Sequence, residues 1–263
     1  MDHFPSTHGT WIERQLDAIA DVSRLTDPEA PGRAPAPDTK QMADLRRALR
    51  QHLMSRYARA LTAYVSGSSF RQLGDADDLV GGFFVRALSD DEFLFRWRQS
   101  GMPLRRWLMN AMSFHCRGLV RDLARERGRT LGTHPVTRPH HAAGIDALVA
   151  GSDHEASRSF ERAWALAIVN QAYGSVQAAL RSEGRDQDDA VLRMHVIESM
   201  TYDQVASALG MTRQECFNAM RRIAPRVRAA MRELLREEGV TESTLDAAIA
   251  DVMRLVGAGR SGA

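Results

Sequence analysis

Apolar residues in this chain recur at steps of three and four and almost never alternate. Leu45, Leu49, Leu53, Tyr57, Leu61 and Tyr64 lay one stripe along a helix. Trp164, Ile168, Val169, Tyr173, Val176 and Leu180 lay another along a long, largely buried helix ending near Gly184. Shorter patterns predict helices over 11–25, from just after Gly74, over 104–127, over 187–198 and over 241–256, the last opened by Thr241 and stopped at Gly257. Ala, Leu, Arg, Met and Gln dominate, and stretches of β-branched residues are missing. The expected fold is all-α.

Two interruptions divide the pattern. Pro28, Pro31, Pro35 and Pro37 forbid regular structure before residue 39. Residues 129–157 hold Gly, Pro, His and small side chains with little period. These breaks predict two helical domains, 39–128 and 160–238, joined by a flexible linker over 129–159. Residues 1–38 form an N-terminal extension with a Pro-rich linker, and 239–263 a helical C-terminal extension.

The strongest local signal is MTYDQVASALGMTRQECFNAMRRI (200–223). Thr201 and Gln204 make a capping box, in which each side chain satisfies an orphan backbone N–H of the helix start. Gly210 supplies the left-handed residue that ends that helix. Thr212 and Glu215 make a second box two residues later. Two short capped helices joined by so tight a turn predict a helix-turn-helix, whose second helix enters a DNA major groove. Thr212, Arg213, Gln214, Phe217, Asn218, Arg221 and Arg222 are its expected duplex contacts. Gln214 and Asn218 suit adenine edges, and the arginines suit guanine or phosphate. Pro225 is expected to kink or end the helix.

The net charge of +2 says little, but its distribution says more. From Arg96 to Arg129 nine arginines face only Asp122 and Glu126; from Arg213 to Arg236 seven face Glu215 and Glu233. Between them and the N-terminal helix, 75–92 carries six acids against Arg86 alone. That pattern predicts two DNA-facing surfaces and one for a different partner. The two cysteines, Cys116 and Cys216, fit no metal or redox spacing, and the histidines 134, 140, 141 and 154 lack companion ligands. No metal, cofactor or catalytic residue is expected, and the chain is not expected to be an enzyme. No apolar run reaches membrane-spanning length, and Met1-Asp2-His3-Phe4-Pro5 lacks a secretion signal's basic start, so a cytoplasmic protein is expected.

GDADDLVGGFFVRAL (74–88) resembles the second conserved region of bacterial RNA polymerase sigma factors of the extracytoplasmic-function (ECF) type. LRRWLMNAMSFHCRGLVRDLARERGR (104–129) is similar to that family's promoter-melting helix, and 160–237 to its fourth region, which reads the −35 element. The resemblance implies core RNA polymerase and promoter DNA as partners, with an anti-sigma factor or other regulatory protein as a further one. It implies that Asp75, Asp78, Leu79, Phe83 and Arg86 meet the polymerase clamp. The −10 strand falls to Arg96, Trp97, Arg98, Arg105, Arg106, Arg117 and Arg121, where cations and aromatics mix as single-stranded DNA requires. Aromatics at helical spacing also build cores: core is the expectation for Trp107, while Arg96, Trp97 and Arg98 stay open between the two uses. A linker over 129–157 stretches to about 95 Å, enough for promoter elements about 70 Å apart.

Gly81-Gly82 stand where the family carries a Gln and an acid. They motivate an alternative expectation, a sigma-derived DNA-binding regulator that no longer binds core polymerase productively.

Overall fold

The computed structural model describes residues 11–25, 39–90, 92–130 and 153–257. Among them every regular element is helical, as the pattern predicts. None of these helices is long and apolar enough to cross a membrane. The chain divides into two compact units, Met1–Trp164 and Ala165–Ala263.

In the first unit, α1 (Trp11–Leu25) and the long α2 (Thr39–Gly67) pack together. α1 buries Ile12, Leu16 and Ile19, and its Trp11 ring stacks on His52 of α2 at 4.5 Å. The described part of the expected N-terminal extension, α1, is therefore part of this unit's core. A 3-10 turn (Ser69–Leu73) leads through Gly74, whose φ of 149° suits glycine, into α3 (Ala76–Ala87). Asp75 caps α3 by accepting from the backbone N–H groups of Asp77 and Asp78 at 2.8 and 3.2 Å. Thr62 of α2 donates to Asp77 at 2.8 Å and pins the start of α3. α4 (Glu92–Ser100) and α5 (Leu104–Thr130) complete the set. Leu53, Tyr57, Leu61, Phe70, Phe84, Leu108 and Met112 fill the interior.

α6 (Asp153–Ser182) begins seven residues before the expected domain start at 160, so 153–159 are helical rather than linker. The division between the units falls within α6, after Trp164. The rest of the expected linker, 131–152, lies outside the described residues.

In the second unit α6 stops at a turn where Gly184 has φ 68°. α7 (Asp186–Leu192) then widens into a single π turn (Arg193–Ile197), with the Glu198 N–H donating to the Arg193 carbonyl five residues back. The single helix expected over 187–198 is thus two pieces. α8 (Tyr202–Leu209) and α9 (Arg213–Glu237) follow. α9 runs on through Pro225, so of the kink or end expected there the end does not occur. Pro225 lies on the exposed side of the helix, while Ile223, Val227, Met231 and Leu235 hold both halves in one buried seam. A 3-10 turn (Glu242–Thr244) and α10 (Leu245–Gly257) return against α9. Thr241 does not cap by its side chain; its hydroxyl meets those of Ser243 and Thr244.

Candidate nucleic-acid interface

Both capping boxes form. Thr201 Oγ1 accepts from the Gln204 N–H at 3.3 Å, and Gln204 Oε1 accepts from the Thr201 N–H at 2.8 Å. Gly210 ends α8 at φ 64°, ψ 30°. Thr212 Oγ1 then accepts from the Glu215 N–H at 3.2 Å, and Glu215 Oε2 from the Thr212 N–H at 2.7 Å. The Thr212 backbone N–H first, and then its hydroxyl, which donates to Glu215 Oε2 at 2.8 Å, hold the Glu215 carboxyl below its ordinary range. Val205, Ala206, Cys216, Ala219 and Ile223 are buried, while Leu209 and Met220 are half-buried. The hydrophobic seam and the two caps fix α9 against α8 and aim its first turns outward.

On that outward surface Thr212, Arg213, Gln214, Phe217, Arg221 and Arg222 are exposed and Asn218 is half-buried. Gln214 Nε2 donates to Asn218 Oδ1 at 3.2 Å, which leaves the Gln214 amide oxygen as a further acceptor and the Asn218 amide N–H groups as further donors. That pairing complements the N6 donor and N7 acceptor of adenine. Phe217 is 44% exposed and meets the edge of Tyr202, which stacks on His195 at 4.1 Å.

The arginines of α9 differ sharply in their surroundings. Arg213 lies 3.8 Å from Asp203, both well exposed. Arg221 has no acidic partner among the described residues. Arg222 donates to buried Asp188 at 2.9 Å, and Arg226 grips Glu183 with two N–H groups, one at 2.9 Å. Arg228 reaches Asp246 at 3.1 Å, Arg232 reaches Asp246 and Glu242, and Arg236 reaches Glu242 at 2.8 Å. The basic block seen in the sequence is largely neutralised from within the unit by acids 6 to 43 residues away.

No family model, curated protein or solved structure matches this chain.

The first unit uses several of its expected −10 residues internally. Trp97 is buried and donates Nε1–H to the Met102 carbonyl at 2.8 Å, so its ring is core. Arg98 donates to Asp17 of α1 at 2.6 Å and lies over the Phe95 ring. Arg105 sits over the Trp164 ring at 4.5 Å and 3.4 Å from Glu161. Arg96 pairs with Asp90 and lies 3.7 Å from Glu92. Arg106 and Arg121 are exposed, Arg117 is half-buried, and Arg121 donates to the Arg117 carbonyl. Trp107 is half-buried and packs 5.8 Å from Phe93.

Of the expected clamp contacts, Asp75, Asp78 and Arg86 are exposed and Leu79 is half-buried. Phe83 is buried against Phe84, Phe93 and His115 and holds the unit together from inside. Burial, and then the Arg86 charge, lower the pKa of His115 and favour its neutral ring. A Cβ at Gly81 or Gly82 would meet nothing within 4 Å, and Val85 beside them is 69% exposed. Among the described residues no cluster of His, Cys, Asp or Glu is placed to hold a metal ion.

Proposed function

We propose that this protein is a sigma factor of the ECF type. In this reading the first unit binds core RNA polymerase and captures the −10 strand, and the helix-turn-helix reads the −35 duplex. The observation that carries it is the twice-capped α8–α9 pair, which presents Gln214, Phe217, Asn218 and Arg221 on one outward face. The exposed carboxylates of Asp75 and Asp78 at the start of α3 suit a basic partner surface. Retention on core polymerase together with promoter-specific run-off transcription tests the proposal, and failure to bind the core sinks it.

A second reading is favoured by specific contacts. Trp97 is core, Arg98 and Arg105 are held by Asp17 and Glu161, and Gly81-Gly82 leave α3 bare where a partner would dock. A sigma-derived regulator with these features binds promoter duplex through α9 but supports no transcription with core enzyme. A gel shift without a run-off product distinguishes it.

A further inference from the structure

Seven arginines lie along α9, and the structure sorts them into two groups. Arg222 and Arg226 are taken by Asp188 and Glu183. Arg228, Arg232 and Arg236 are taken by the turn and helix that follow α9. Glu242 accepts from both Arg232 and Arg236, and Asp246 from both Arg228 and Arg232, so that Arg232 bridges the two acids. Glu233 adds a further partner for Arg236. Isolated exposed pairs contribute little, but shared partners in one network hold each guanidinium in place. α10 buries Leu245, Ile249 and Val252 on the side facing the second half of α9; within the network the Arg232 side chain is 28% exposed, while Arg236 and Arg228, at 40% and 58%, are held by their acids rather than covered. Only Arg213 and Arg221, at the first turns of α9, are left facing outward with weak or no acidic partners among the described residues.

We propose that α10 is an electrostatic strap on the DNA-reading helix: Glu242 and Asp246 hold Arg228, Arg232 and Arg236 away from phosphate. Duplex contact is then confined to the first three turns of α9, around Gln214, Phe217, Asn218 and Arg221. This rests on the reading of α9 as a duplex-binding helix. It adds that the C-terminal helix sets how much of α9 touches DNA. Without the strap, α9 would offer a continuous basic ridge that grips any duplex. With it, phosphate contacts stay few and base contacts carry more of the discrimination.

The test is the salt dependence of binding to a 30-base-pair duplex of arbitrary sequence, measured with the full chain by fluorescence anisotropy between 50 and 200 mM NaCl. The Glu242→Gln/Asp246→Asn variant is expected to bind more tightly and with a steeper slope. Each freed arginine that reaches a phosphate adds about 0.9 to the slope, so two add about tenfold to the loss across that salt range. Arg228→Ala/Arg236→Ala is expected to change nothing in the otherwise unaltered chain and to remove most of the gain in the Glu242→Gln/Asp246→Asn background, leaving the share that Arg232 supplies. A mere change in net charge would instead give equal decrements in both backgrounds, and that additive result overturns the strap. So does an unchanged slope in the Glu242→Gln/Asp246→Asn variant. Should the unaltered chain bind no duplex, binding gained on removing the two acids still supports the strap; absence of binding in both overturns the strap and the duplex-binding reading together. An unaltered chain that binds and loses affinity on Arg221→Ala keeps that reading intact whatever the strap variants do.

Discussion

Arg222 of α9 donates to Asp188 of α7 at 2.9 Å, and Asp188, whose side chain is 9% exposed, also accepts from Arg185. The pair joins positions 34 residues apart and fixes the rotation of α9 about its own axis. Arg222→Ala leaves Asp188 its second partner, so the expected cost is about 1–2 kcal/mol rather than that of a stranded buried charge. A lower urea midpoint at constant m-value checks it. The salt slope of duplex binding should not change, because this guanidinium is already engaged.

Arg221, one residue earlier, has the opposite expectation. It is exposed, without an acidic partner among the described residues, and lies on the same side of α9 as Asn218. Arg221→Ala should leave the thermal midpoint within about a degree, since its guanidinium is exposed and makes no ion pair among the described residues. Duplex affinity should fall and the slope of log K against log salt should flatten by about 0.9. A slope equal to that of the unaltered chain would rule out a phosphate contact.

The sequence exposed the helix-turn-helix almost completely because its determinants are local. Capping boxes act over three residues and the left-handed turn over one, so Thr201, Gln204, Gly210, Thr212 and Glu215 stand in the structure where their types and spacing place them. α1 was equally legible from its apolar period. What stayed hidden depends on distance. Nothing near Arg222 or Arg232 in the chain announces Asp188 or Asp246, so the arginines looked free. Trp97 and Arg98 lie in a short helix whose aromatic content fits a base platform and a core equally well; only its packing beside α1 decides. That the helix continues past Pro225 has a related reason: the local penalty is real, but the tertiary seam on either side outweighs it.

Acid should loosen the strap. Hydrogen bonds from Arg232 and Arg236 hold the Glu242 carboxyl below its ordinary range, and Arg228 and then the Arg232 charge do the same for Asp246. Groups with pKa values depressed in the folded state stabilise it above their unfolded values and lose that contribution as pH falls through the folded ones. Docking of α10 is therefore expected to be fully present at neutral pH and to weaken as pH drops from about 5 to 3. Amide hydrogen exchange in α10 across that window reads it. Protection that stays constant relative to α8 would show that the apolar seam alone holds the helix.

Gly81 and Gly82 offer the sharpest choice between the two functional readings. Both lie inside α3 and neither has a positive φ, so their side-chain-free state serves no backbone need. A Cβ at either position meets nothing within 4 Å, and helix interiors disfavour glycine by about 0.5–1 kcal/mol each relative to alanine. Gly81→Gln/Gly82→Glu is expected to raise the melting temperature of the first unit by several degrees. The informative measurement is retention on core polymerase. If the bare helix is what weakens docking, the variant binds core more tightly and run-off transcription appears or increases. A stabilised variant that still fails to bind core enzyme leaves duplex binding through α9 as the activity to pursue.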